Sequence, residues 1–229
     1  MLKKLKEAGL TVNRKKCEFG CSQVKYSGYV LDREGLRPDA EKIVPVVNYP
    51  PSVNLKQLRR FLEMVGWYAC FIPDESDIKV PLLKLTRKDE EWSWGKEQQK
   101  AFEKLKEALV TAPVLARHDF SKPFIIQTDA SATAIGGVLI QINVEEEEHP
   151  IVYFSRVLIT AERNYTTTKR ELLGLIHGIK KMRTYLEGYK FVAVTDHIAL
   201  KYLRNLKEPT GRLARWALEL QQSDFEIVH

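Results

Sequence analysis

The chain has 229 residues, 44% apolar and 29% charged, enough to bury a core and too rich in apolar residues for disorder to dominate. It has no run of eighteen apolar residues, so a helical membrane span is excluded; its opening, Met1-Leu-Lys-Lys-Leu-Lys-Glu, has no secretory signal, and three cysteines make no disulfide framework. The expected setting is therefore reducing and intracellular, cytoplasm or nucleus. The net charge of +6 is uneven: residues 1–115 carry 21 Lys or Arg against 16 Asp or Glu, and residues 116–229 carry 15 against 14. A basic first half suits a polyanion partner, nucleic acid first, or equally a solvated surface.

In chain order, an amphipathic helix is expected over residues 2–8, closed by Gly9. A short strand at 16–21 and a second run of β formers at 23–31 follow. Pro38 suits the first turn of a helix, and Pro50-Pro51 forces an extended break. Ser52 or Asn54 can cap a helix over 55–69, whose Leu58, Phe61, Leu62, Val65 and Tyr68 fall at helical spacing. A short apolar helix at 80–85 and a strong one at 96–110 complete the section. The period then changes. Strands are expected at 123–129, 135–141 and 151–156, with the acidic run Glu145 to Glu148 and His149-Pro150 as a solvated loop. A long helix capped within Thr166–Thr168 runs to Leu186, a strand covers 189–196, helices cover 198–203 and 211–222, and a last strand begins at Phe225. Three antiparallel strands and a crossover helix into a fourth make a mixed α/β sheet flanked by helices.

Three acids hold special places in that pattern. Asp129 and Asp196 each end an apolar strand after a Thr, and Glu171 lies one turn into the crossover helix. Side by side, the two strands bring both Asp carboxylates to one sheet edge, with Glu171 above it. Three adjacent carboxylates repel unless a cation neutralises them, and oxygen-only ligands select Mg²⁺ or Mn²⁺. Such a cluster suits metal-assisted attack of water on a phosphodiester. Taken singly, each acid reads sooner as a turn cap or a dipole partner; the combination is what points to a metal site.

The stretches Phe124-Ile-Ile-Gln-Thr-Asp-Ala-Ser, Asn164-Tyr-Thr-Thr-Thr-Lys-Arg-Glu-Leu-Leu, Tyr185-Leu-Glu-Gly, Thr195-Asp-His and Gly211-Arg-Leu-Ala-Arg-Trp closely resemble the RNase H domain of gypsy-type long-terminal-repeat retrotransposon polyproteins. Upstream, Lys16-Cys-Glu-Phe and Tyr26-Ser-Gly-Tyr-Val resemble the last palm hairpin of the same polyproteins' reverse transcriptase; Gly35-Leu-Arg-Pro-Asp, Leu58-Arg-Arg-Phe-Leu and Phe71-Ile-Pro resemble its thumb and connection. The resemblance implies a palm remnant at 1–36, a mainly helical thumb/connection at 37–115 and an RNase H-like domain at 116–229. It implies Asp129, Glu171 and Asp196 as catalytic metal ligands, with Mg²⁺ or Mn²⁺ as cofactor. It further implies an RNA–DNA hybrid or duplex as partner, alongside the fingers and palm of the same polyprotein. In the family the hairpin holding Tyr26 and Gly28 grips the primer. The chain has no Tyr-x-Asp-Asp polymerase motif, and it ends at His229, before the helix that carries the family's fourth carboxylate. The expectation is therefore no polymerisation and impaired RNA hydrolysis, the alternative being a non-catalytic binding or structural remnant.

Other residues read two ways. Lys56, Arg59 and Arg60 on one helix face can track phosphates or simply be solvated. Arg163 and Tyr165, just before the crossover helix, can touch the substrate backbone or pack the loop. Trp67, Trp92 and Trp94 can stack bases or anchor cores. His197 reads as a cap and His177 as a packed or surface residue. Cys17 and Cys21 lack a second ligand pair, so zinc is not expected.

Overall fold

The computed structural model describes residues 2–13, 15, 17, 19–196 and 211–228. The opening helix is α1 (Leu2–Glu7), ended by Gly9 at φ 68°. Of the strand expected at 16–21, residues 16 and 18 lie outside the described residues, and 17 and 19–21 carry no regular structure. β1 (Val24–Tyr26) and β2 (Tyr29–Leu31) form a hairpin with Tyr26 opposite Tyr29. Its two-residue turn needs positive φ at both centres, and Ser27 (50°) and Gly28 (86°) provide it. β3 (Leu36–Pro38) pairs with β2 as an edge strand, so Pro38 lies in a strand rather than in a first helical turn. An edge tolerates its missing N–H, and Asp39 starts the helix instead, accepting from the Glu41 N–H at 3.2 Å.

A helical section follows: α2 (Ala40–Val47), α3 (Leu55–Gly66), a 3-10 turn (Ala69–Phe71), α4 (Glu75–Ile78), α5 (Val80–Lys84) and α6 (Lys96–Val110). Asn54 caps α3 by accepting from the Gln57 N–H at 3.0 Å. The helical spacing read in the sequence becomes the core: Leu58, Phe61 and Val65 of α3 pack with Phe102, Leu105 and Leu109 of α6. The Phe61 and Phe102 rings meet at 4.4 Å between centroids, tilted by 40°. Burying each of these side chains stabilises by roughly 2–3 kcal/mol.

The second core lies under a five-stranded sheet of β4 (Phe124–Ala130), β5 (Ala134–Ile142), β6 (Glu148–Val157), β7 (Phe191–Val194) and β8 (Phe225–Val228), ordered β6-β5-β4-β7-β8. The first three strands are antiparallel neighbours, while β4 with β7 and β7 with β8 run parallel. His149 and Pro150, expected in a loop, extend β6; Pro is tolerated there because β6 is an edge. The helices are α7 (Thr160–Arg163), α8 (Thr167–Lys181), α9 (Arg183–Leu186) and α10 (Gly211–Gln221). The long helix expected to reach Leu186 breaks at Met182, which leaves helical geometry (ψ 13°) and is buried in the core. His197, the helix expected at 198–203 and His229 lie outside the described residues.

Helix α8 lies close on the sheet because of two glycines. The Phe154 ring fills the space they leave: a Cβ on Gly137 of β5 would stand 2.7 Å from its Cζ, and one on Gly178 of α8 would stand 2.6 Å from it. The helical section also grips this sheet. Ser76 N–H of α4 donates to Ser155 Oγ of β6 at 3.0 Å. No helix among the described residues is long and apolar enough to cross a membrane.

Candidate active site

The parallel register of β4 and β7 builds the site. Gln127 stands opposite Val194, so two residues further on the chains reach Asp129 and Asp196 together. Glu171 comes from α8, on the face that also carries Gly174 and Gly178 (three and seven residues on), so the close seating of the helix brings its carboxylate down to the same edge. One carboxylate oxygen from each of Asp129, Glu171 and Asp196 lies within 4.8 Å of the others. Both aspartates are exposed, whereas Glu171 is 3% exposed. The Asp129 Oδ1 accepts the Ala130 N–H at 2.8 Å, which fixes its side chain.

Burial, reinforced by the Asp129 and Asp196 charges, pushes the Glu171 carboxyl up to about 7. Its Oε2 is buried without a hydrogen-bond partner among the described residues. A buried, orphaned carboxylate oxygen facing two more carboxylates fits a hard divalent cation, which would supply the missing positive charge.

The shifted Glu171 has a consequence in metal-free buffer. Its folded pKa of about 7 lies above the ordinary 4.5, so between those values the folded chain holds a proton that the unfolded chain has released. Stability is full below about 4.5 and falls as pH rises through 7. Glu171→Gln removes that fall. Discounted for solvent screening, the gain at pH 8 is on the order of 1–2 kcal/mol, or roughly 3–6 °C in melting temperature. At pH 5 the gain is small. Thermal melts with chelator at the two pH values check this; equal gains at both would show that Glu171 is ionised throughout.

A second acid pair, which nothing in the sequence pattern marks, borders the site. Asp74 and Asp77 of the α4 segment line a small cleft together with Asp129, Ser131, Gly136 and Ser155. Burial, with the Asp129 and Asp77 charges, raises the Asp74 carboxyl. The Arg170 Nη1 donates to the Ser131 carbonyl at 2.8 Å, tying α8 to the turn after β4.

The other candidate residues lie elsewhere. Tyr26 projects from the hairpin, 75% exposed, and the Gly28 carbonyl accepts the Asp39 N–H at 2.9 Å. The hairpin is tied to α3: the Trp67 Nε1 donates to the Ser27 carbonyl at 3.0 Å, and the Tyr29 hydroxyl donates to the Trp67 carbonyl at 2.7 Å. Lys56, Arg59 and Arg60 are exposed along α3. Arg59 also lines an open groove with Trp92, one of the tryptophans read as a base stacker or core anchor, and with Arg87 and Lys88, which the sequence reading did not single out. Trp94 is an anchor, edge-on to Phe102 and bonded to Gln99. Arg163 is half-buried with its Nε on the Leu158 carbonyl at 3.1 Å, and half-buried Tyr165 packs edge-on to Trp216. His177 is packed near Phe154, and burial lowers its pKa.

The five-stranded mixed sheet, the crossover helix and the three acids define an RNase H-like domain. Residues 119–223 match the family described as the RNase H-like domain found in reverse transcriptase. The chain is 41% identical over 231 aligned positions, 99% of its length, to the Transposon Tf2-3 and Tf2-4 polyproteins of Schizosaccharomyces pombe. Along its whole length it is similar to part of gypsy-type long-terminal-repeat retrotransposon polyproteins, and within that length it carries a match to the RNase H-like domain of reverse transcriptase. It spans 17% of the length of those relatives. Its fold is also that of a foamy viral protease-reverse transcriptase solved with double-stranded DNA, at TM-score 0.79 and 23% identity, covering 99% of this chain and 41% of that one. A foamy viral protease-reverse transcriptase solved with an RNA/DNA hybrid matches at TM-score 0.77 and 22% identity, covering 93% of this chain and 30% of that one.

Proposed function

We propose that this chain hydrolyses the RNA strand of RNA–DNA hybrids, with Asp129, Glu171 and Asp196 holding Mg²⁺, or Mn²⁺ in its place. The observation that carries the reading is the meeting of three carboxylate oxygens within 4.8 Å at one sheet edge. In this reading residues 1–36 are a palm remnant, 37–115 the thumb/connection and 116–229 the catalytic domain, working beside the fingers and palm of the same polyprotein. The viral structures solved with hybrid and with duplex DNA support the choice of substrate class.

When bound, the divalent cation polarises the scissile phosphate and lowers the pKa of a water. The chain's own residues do the rest. Asp129 and Asp196 present exposed carboxylates on the solvent side, where a phosphodiester can approach. Glu171 closes the site from beneath and must give up its proton, so cation affinity rises with pH up to about 7 and levels off above it. Preference for RNA comes from contacts to the 2′-hydroxyl. The test is a labelled hybrid incubated with the chain and either metal: release of RNA fragments with an intact DNA strand supports the reading, and an inert, folded chain overturns it.

Binding is expected to lean on the exposed cations of α3. Lys56, Arg59 and Arg60 changed together to Ala should weaken hybrid binding without changing sequence preference. Each lost phosphate contact flattens the log-affinity against log-salt slope by roughly 0.9, so the three flatten it by up to about 2.7. Binding titrations across a salt series check this, and an unchanged slope would mean that these side chains are only solvated.

A further inference from the structure

We propose that Asp77 is a positioning residue of the carboxylate site, holding the turn between β4 and β5 so that Asp129 and Glu171 meet. The inference rests on the metal-site reading above. Asp77 belongs to α4, in the helical section, 52 residues before Asp129 in the chain. Its Oδ1 accepts the Ser131 hydroxyl at 3.0 Å and also the Thr133 hydroxyl. A serine hydroxyl has one proton and two lone pairs. With the Ser131 proton on Asp77, both lone pairs are used within the turn: Oγ accepts the Thr133 N–H at 3.0 Å and the Ala134 N–H at 2.8 Å.

The chain of bonds continues to the helix. The Ser131 carbonyl accepts from Arg170 at 2.8 Å, and Arg170 directly precedes Glu171. At the other end, Ala130 N–H fixes the Asp129 carboxylate at 2.8 Å, one residue before Ser131. The turn thus has a ligand on each side; its backbone is closed by the Ser131 N–H on the Ala134 carbonyl at 2.9 Å, and its two hydroxyls are held by one carboxylate from another part of the chain. Helix α4 is itself held firmly: Glu75 is buried and paired with Lys79 at 2.6 Å, and Ser76 N–H is bonded to Ser155. Without Asp77, the Ser131 proton can turn to the Ala134 carbonyl at 3.2 Å or towards Thr133 at 3.3 Å. The turn then keeps its carbonyl contacts to Arg170 and Leu158 but loses the acceptor that holds both of its hydroxyls, and the two ligands lose their fixed spacing.

Asp77 also adds negative charge beside the site, which by itself favours any cation. Asn separates the two effects, because it keeps the Oδ1 acceptor and removes the charge. The experiment is Mn²⁺ binding to the full 229-residue chain, followed by the electron paramagnetic resonance of free Mn²⁺, with thermal melts confirming that each variant is folded. Loss of a residue that supports a metal ligand weakens affinity by about tenfold or more. Asp77→Ala should show that loss, whereas Asp77→Asn should stay within about twofold of the original chain, because the acceptor geometry survives. Thr133→Val removes one of the two donors at nearly constant shape and should fall between them; it keeps the test open if Asp77→Ala does not fold. Unchanged affinity in Asp77→Ala or, where that variant is unfolded, in Thr133→Val overturns the proposal. An Asn variant as weak as the Ala variant overturns it too, since charge would then be the whole effect. An original chain that binds no Mn²⁺ overturns the metal-site reading itself, and this proposal with it.

Discussion

Asp129→Asn is expected to leave the chain folded and to lower hydrolysis of the RNA strand by roughly a thousandfold or more. The fold survives because Asp129 is exposed and the bond it accepts from the Ala130 N–H at 2.8 Å is kept by an Asn Oδ1. In the proposed site the chemistry does not survive, because the substitution removes one of the three carboxylates proposed to hold the cation. A catalytic cation contributes several kcal/mol of charge stabilisation, and a loss of about 4 kcal/mol is roughly a thousandfold in rate. A second readout separates this from damage to the fold. The Asp129 charge helps to raise the Glu171 carboxyl, so the Asn variant should have a lower Glu171 pKa and melt no lower than the original chain in metal-free buffer. Cleavage of a labelled hybrid, measured beside a melt, checks both parts. A variant that cuts at the original rate would remove Asp129 from the set of ligands. A variant that melts far lower would give it a structural role instead.

Much of this site could be read from the order of residues alone, because local rules place its parts. Asp129 and Asp196 both end runs of buried β formers after a buried Thr, and parallel pairing then brings equivalent strand ends together. Glu171 follows from helix phase, being on the stripe that also holds Gly174 and Gly178. What could not be read were the contacts between distant segments. Asp74 precedes and Asp77 lies in a four-residue helix with no period of its own, and the docking of α4 on β5 and β6 gives them their neighbours. Arg87, Lys88 and Trp92 share a groove with Arg59 for the same reason. Local signals misled where two structures share a residue type. Pro38 suits a helix start and an edge strand equally, and Pro150 suits a loop and an edge strand.

Gly137→Ala should cost the chain about 3 kcal/mol or more and take metal binding with it. Gly137 of β5 sits between β6 and β4, the strand that carries Asp129, pairing with Phe154 on the one and Thr128 on the other. A Cβ there would run into the Gln127 carbonyl, which is backbone and cannot rotate away, and would stand 2.7 Å from the Phe154 ring. Relief requires β4 to move off β5 or the ring to move out. The ring has nowhere to go, because Gly178 of α8 leaves just enough room for it on the other side. Overpacking of a filled core costs about 1–3 kcal/mol, and a broken strand pairing adds to it. Because Gln127 is two residues before Asp129, any shift of β4 also displaces a ligand. Gly66, at the end of α3, is the contrasting case: a Cβ there meets nothing within 4 Å, so Gly66→Ala should stabilise by roughly 0.5–1 kcal/mol through a less flexible unfolded chain. Denaturant melts of both variants, with Mn²⁺ titrations of each, test the pair. A Gly137→Ala chain as stable as the original would mean that β4 and β5 stand further apart than the Thr128–Gly137 pairing requires, and the geometric basis for the site at Asp129 would go with it.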